Sequence, residues 1–126
     1  MALARLTTQA IQPLSGSVRE QGVLSATVEA GEFVTMDSNG KWAPTVATSV
    51  VLTVAVAVTA GVSGDTIDLV LGGPVKCLSG ATPGTLIYAS DTAGEPSATA
   101  GTKSTVVGYA RTADTLWVRP QIVSFS

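Results

Sequence analysis

Hydrophobic and polar positions along this chain alternate with a period of two, and no apolar stripe at helical spacing runs for three turns. The clearest stretch is 50–58, where even positions carry Val50, Leu52, Val54, Val56 and Val58 and odd positions carry Val51, Thr53, Ala55 and Ala57. Successive side chains of a strand point to opposite faces, so this strand has one bulky apolar face and one small one. Neither face is charged. Such a strand needs cover on both sides and belongs in the middle of a sheet, because as an open edge it would invite aggregation. Shorter strands are predicted over 22–28, 32–36, 66–71, 75–78, 85–89, 104–111 and 115–119, with 121–125 as a terminal segment.

The punctuation between these runs is that of turns. Asn39-Gly40 joins two strand-like runs and predicts a hairpin, since both residues tolerate positive φ. Gly64-Asp65 leads into 66–71, and Gly72-Gly73-Pro74 is expected to stop that strand. The segment 79–84 is a turn-rich connection, and 90–102, with Gly94, Pro96 and Gly101, is a long polar loop.

The pattern also recurs. Gly31-Glu32-Phe33-Val34-Thr35-Met36-Asp37 aligns with Gly84-Thr85-Leu86-Ile87-Tyr88-Ala89-Ser90 at an offset of 53 (84 − 31). Val56-Ala57-Val58-Thr59-Ala60 aligns with Tyr109-Ala110-Arg111-Thr112-Ala113 at 53 again (110 − 57). Asp65-Thr66-Ile67-Asp68-Leu69-Val70 then aligns with Asp114-Thr115-Leu116-Trp117-Val118-Arg119 at 49 (114 − 65), the insert Gly61-Val62-Ser63-Gly64 accounting for the difference. Repeats determine architecture. The expectation is one all-β domain over 23–126 with an internal pseudo-repeat.

Ahead of it, 1–22 reads as an extended N-terminal arm. Leu3, Leu6, Ile11 and Leu14 are spaced irregularly among polar residues. Two readings stand: a loosely packed terminus, or a segment that orders by adding a strand to a partner.

Composition narrows the function classes. With 126 residues the chain is long enough for one modest core and too short for two. Its 45% hydrophobic share is mostly Val and Ala, which suit a pleated surface better than a helix. The formal net charge is −2, and Arg5, Arg19, Lys41, Lys76, Lys103, Arg111 and Arg119 never cluster, so nucleic-acid binding is not expected. The apolar run 46–60 is shorter than the roughly 20 residues of a membrane span. The N-terminus lacks the apolar core of a signal peptide, which points to a protein made in the cytoplasm and used where it is made. Cys77 is the single cysteine, so it is expected to be a buried small hydrophobe and not half of an intrachain disulfide.

Candidate chemistry is sparse. The chain has no histidine, which removes Ser-His-Asp and Cys-His pairs, most zinc sites and the usual neutral-pH acid–base group. Asp65 and Asp68 stand three apart in a strand pattern, hence on opposite faces, and Glu29 and Glu32 share that spacing. These carboxylates and Glu95 read as solvated surface. Asp37-Ser38-Asn39-Gly40 lacks the third acidic ligand and closing Glu of a calcium loop. Gly101-Thr102-Lys103-Ser104 lacks the glycine spacing and following helix of a phosphate loop. Gly61-Val62-Ser63-Gly64 lacks the helices and basic charge of an RNA-binding clamp. Trp42, Trp117, Tyr88, Tyr109 and Phe33 suggest a sugar-stacking platform, but strand aromatics more often pack in a core. No catalytic, cofactor-binding or metal-binding residue is assigned, and an enzyme is not expected.

Several segments resemble the small capsid-decoration, or cement, proteins of tailed bacteriophages. Gly84-Thr85-Leu86-Ile87-Tyr88 with the Gly/Pro/Ala/Thr-rich loop after it, Val106-Val107-Gly108-Tyr109-Ala110 and Leu116-Trp117-Val118-Arg119-Pro120 are similar to their closing half. Ala30-Gly31-Glu32-Phe33-Val34 and the stretch from Ala60-Gly61 to Asp65 resemble the first half. The likeness covers 30–120 through short motifs; the arm has none. It implies a compact β-barrel-like or β-tulip domain on the outer surface of the expanded head in the virion. There such proteins bridge subunits of the major capsid (coat) protein, commonly as homotrimers at threefold positions, without a cofactor or enzyme activity. On this reading Leu3, Leu6, Ile11 and Leu14 anchor the arm on the coat shell. The alternative of another class is a phage tail or fibre component that binds a host surface glycan.

Overall fold

The structure, a computed structural model, describes residues 4–5, 12–13, 18–46, 54–99, 101–102 and 106–118. Among them every element is a strand. β1 (Ala4–Arg5), β2 (Gln12–Pro13) and β3 (Val18–Val23) come first, then β4 (Phe33–Met36), β5 (Trp42–Pro44), β6 (Val54–Ala57) and β7 (Thr66–Lys76). β8 (Leu78–Ser79), β9 (Leu86–Ala89), β10 (Pro96–Ser97), β11 (Val106–Ala110) and β12 (Thr115–Val118) follow. One antiparallel sheet runs β10-β9-β11-β12-β7-β6-β4-β5, with β2 and β3 also paired to β7. β1 pairs separately with β8. The sheet curls strongly, and its ends are tied by Gly94: the Phe33 N–H donates to the Gly94 carbonyl at 2.9 Å and the Gly94 N–H donates to Thr45 at 2.8 Å. The domain is a β-barrel-like half-barrel.

The duplicated sequence is a duplicated fold. Phe33 faces Val56 where Leu86 faces Tyr109, and Val34 faces Ala55 where Ile87 faces Gly108. The Gly31 N–H donates to the Ala57 carbonyl at 2.7 Å, and the Gly84 N–H donates to Ala110 at 2.7 Å. Both glycines take left-handed backbone, with φ of 87° and 86°. A side chain resists that conformation, so each copy begins with glycine. Asn39 N–H donates to the Asp37 carboxylate at 2.8 Å in the first copy, and Thr92 N–H donates to the Ser90 hydroxyl at 3.0 Å in the second. The same turn is built from Asx chemistry once and from serine chemistry once.

The repeat extends further back than the sequence match. Gly22 faces Ile67 in the β3–β7 ladder, and Val75 faces Leu116 in the β7–β12 ladder, offsets of 53 and 49. β7 therefore closes the first unit with its early residues and opens the second with its late ones. In the β6–β7 ladder Ala57 faces Leu69, whereas Ala110 faces Leu116, an offset of 47 (116 − 69) and not 49. A slip of two leaves every side chain on its original face, so alternation alone is blind to it.

The predicted stop at Gly72-Gly73-Pro74 is corrected by the structure. β7 runs unbroken for 11 residues and changes partners there, from β3 and β6 to β12 and β2. Gly73, at φ 87°, turns the strand over. Val70 and Val75 both reach the central core, although residues five apart on a regular strand point to opposite faces.

That reversal organises two cores. The central one joins Phe33, Val56 and Val70 of the first unit to Ile87, Val107, Ala110, Leu116 and Val118 of the second. The other lies on the opposite face of the first unit, where Val34, Ala55, Ala57, Ile67 and Leu69 are covered by Leu24, Val28 and Trp42. β6 thus buries both faces between β4 and β7, as its two apolar faces predict. At the start of the sheet, β3 begins at Val18 and crosses the predicted arm boundary. Its one ladder is to β7 among the described residues, and its mostly exposed side chains explain why no alternation marks it.

Candidate functional site

The second unit carries an outward row that the first unit lacks. Leu86 faces Tyr109, Tyr109 faces Trp117 and Trp117 faces Pro74, so these four lie side by side across β9, β11, β12 and β7. Tyr88 and Val106 form the next rung. Leu86 is 44% exposed, Tyr88, Tyr109 and Trp117 are half-buried, and Pro74 at the end of the row is buried. Arg111, exposed in the β11–β12 turn, places its guanidinium carbon 4.4 Å from the centroid of the Trp117 ring. Stacking of this kind is worth about 0.5–1 kcal/mol at an exposed site. The result is a partly exposed aromatic and aliphatic row with one cation resting on it. Such a surface suits contact with another apolar face or with the ring of a sugar.

The five aromatics considered as a platform separate here. Phe33 and Trp42 are buried at 0% and 2% exposure in different cores. Tyr88, Tyr109 and Trp117 share the outer face. One signal of this was present in the sequence: at the aligned positions Phe33/Leu86 and Val56/Tyr109 both copies hold large residues, so both copies present a bulky face.

The carboxylates serve local turns. The Val62 N–H donates to Asp65 at 2.9 Å, closing the Gly61–Gly64 turn, and the Glu29 N–H donates to Glu32 at 2.7 Å. Asp68 accepts from Gln21 at 3.4 Å across the ladder and does not join Asp65. Within the supposed phosphate loop, Thr102 donates to Asp91 from its backbone and its hydroxyl, at 2.9 Å each, which anchors that residue. Among the described residues no cluster of three or more His, Cys, Asp or Glu could hold a metal. Cys77 is buried in the central core, and burial pushes its thiol up to about 12. The thiol stays protonated and unreactive at neutral pH. Leu3, Leu6, Ile11 and Leu14 lie outside the described residues.

Two aspartates tie turns to pH. The Thr112 hydroxyl, then that of Thr115 and the Lys76 ammonium, hold Asp114 below the usual aspartate range. The backbone N–H of Lys41, with that of Asn39, does the same for Asp37. A carboxylate with a depressed folded pKa contributes stability above its unfolded pKa and loses it as pH falls through the folded value. The urea midpoint is therefore expected to hold from neutral pH down to the ordinary aspartate range and to drop below it. Asp114→Asn should show a smaller acid-induced drop than the wild type in the same titration; an equal drop would remove Asp114 from the account.

No protein-family model and no curated protein matches this chain.

Proposed function

We propose that the protein is a structural component of a phage virion that decorates the outer surface of the expanded capsid and bridges subunits of the major capsid protein, as a trimer at threefold positions. One observation carries the reading. The segments whose sequence resembles the closing half of decoration proteins fold into adjacent strands β9, β11 and β12, and these strands bear the outward row Leu86, Tyr109 and Trp117. An outward row of motif residues supports a role in contact with a partner. The long-range antiparallel ladders and the buried inter-unit core also suit a protein that must hold shape under load.

Co-sedimentation with coat-protein shells of the source virus, expanded and unexpanded in parallel, tests it. Saturable binding to expanded shells alone, near one copy per coat subunit, is the expected result; no binding to either would reject it. The anchoring role of Leu3, Leu6, Ile11 and Leu14 is tested by changing all four to Ser, because deleting 2–21 would also remove most of β3.

A second reading is favoured by Tyr88, Tyr109 and Trp117 sharing one face: a tail or fibre component that stacks a host glycan there. Flat Trp117 fluorescence titrations against sugars would dismiss it.

A further inference from the structure

We infer that Asn39 is a self-modification site, where the only asparagine of the chain loses ammonia to attack by the main-chain nitrogen of Gly40, and that the Asp37 side chain governs the rate. The inference is independent of the decoration role. It starts from where that asparagine stands: before a glycine, in the β4–β5 turn, with 36–41 all exposed. Asparagine is among the thermally labile residues. Glycine puts no Cβ beside the attacking nitrogen, and a Cβ built at Gly40 meets nothing within 4 Å, so neither side chain nor packing shields that nitrogen. The second unit has no such site. Its corresponding turn reads Asp91-Thr92-Ala93-Gly94, with no side-chain amide to lose.

The reaction needs only the turn and water. The Gly40 nitrogen bonds to Cγ of Asn39, the Cγ–Nδ2 bond breaks, and the amide leaves as ammonia, carrying the proton that Gly40 gives up. Water then opens the succinimide at one carbonyl or the other, giving aspartate or, with an extra methylene in the main chain, isoaspartate. The folded turn holds this back. The Gly40 N–H donates to the Asp37 carbonyl at 3.1 Å, which aims it away from ring closure. The Asp37 carboxylate fixes that arrangement by accepting from the N–H of Asn39 at 2.8 Å and of Lys41 at 3.0 Å. Attack therefore waits for the turn to open, and its rate follows that local equilibrium. The product matters for the fold, because Met36 faces Trp42 across this turn and Trp42, 2% exposed, covers the first unit's own core. An isoaspartate lengthens the main chain there and loosens that cover.

The test is peptide mass spectrometry of the full chain aged in mildly alkaline buffer made with heavy-oxygen water. Folded wild type, wild type unfolded in urea, Asp37→Ala, Asp37→Asn and Asn39→Ser are compared, with circular dichroism to show that the variants are folded. The expected result is exchange of the Asn39 amide nitrogen for one heavy oxygen, slower in the folded wild type than in urea. Asp37→Ala should react about fivefold faster than the folded wild type, the scale of losing a capping side chain. Asp37→Asn, which keeps an acceptor oxygen without the charge, should fall between the two, and Asn39→Ser should gain no mass. No exchange at Asn39 in urea, or a mass gain in Asn39→Ser, overturns the site. Equal rates for folded wild type, Asp37→Ala and the urea-unfolded chain overturn the control by Asp37.

Discussion

Gly108→Ala is expected to destabilise the domain by about 3 kcal/mol or more, and in a urea titration it should show the largest loss of any single-methyl addition. A Cβ built at Gly108 collides with the backbone carbonyl oxygen of Trp117 on the neighbouring strand, and it also stands 3.2 Å from the Cα of Val118. No rotamer change relieves a clash with backbone. The repeat makes the expectation counter-intuitive, because the aligned residue of the first unit is Ala55, which is buried without difficulty. Alignment alone would rate Gly108→Ala as a harmless return to the pattern. The difference is an irregularity in the β11 register between Val106 and Gly108, which has no counterpart in the β4–β6 pairing. An extra residue in one strand bends it and increases local twist, and here the backbones approach until only glycine fits. A midpoint within experimental error of the wild type would refute the close approach.

Phe33→Ala is expected to cost about 3–5 kcal/mol, the usual range for truncating a fully buried aromatic. Its repeat counterpart, Leu86→Ala, should fall within about 0.5 kcal/mol of wild type in dilute protein, as surface substitutions do. Phe33 heads the fully buried side chains and sits at the junction of the two units, so its loss opens a cavity between them. The same alignment column thus predicts opposite outcomes. Equal costs at both positions, measured by urea unfolding at low protein concentration, would mean that the two units do not bury opposite faces.

These contrasts mark what was legible in the residues. The hairpin at Asn39-Gly40 is there, with Met36 facing Trp42 across it and Gly40 at φ 77°. β6 is central because both of its faces are apolar. The strands starting at Phe33 and Leu86 stand 53 residues apart, as do the glycines that begin them. All of this is local chemistry: alternation, turn propensity and positive φ act within a few residues and leave their mark in the sequence.

The outer aromatic row was not legible in the same way. Tyr109 and Trp117 obey the same alternation whether their face is inside or outside, and periodicity does not say which face meets a partner sheet. β3 was hidden because its largely exposed side chains show no alternation. Gly72-Gly73-Pro74 reads as a strand end by composition, yet a strand can cross such a sequence when its hydrogen-bond partners change at that point.

By itself the sequence determined an all-β chain, the places where it turns, and its construction from two related units, because each depends on neighbours in the chain. Only the tertiary structure decided which face of each unit is buried. Gly73 turns β7 over between the units, so corresponding side chains point inward in the first and outward in the second, and that choice depends on contacts between residues far apart in sequence.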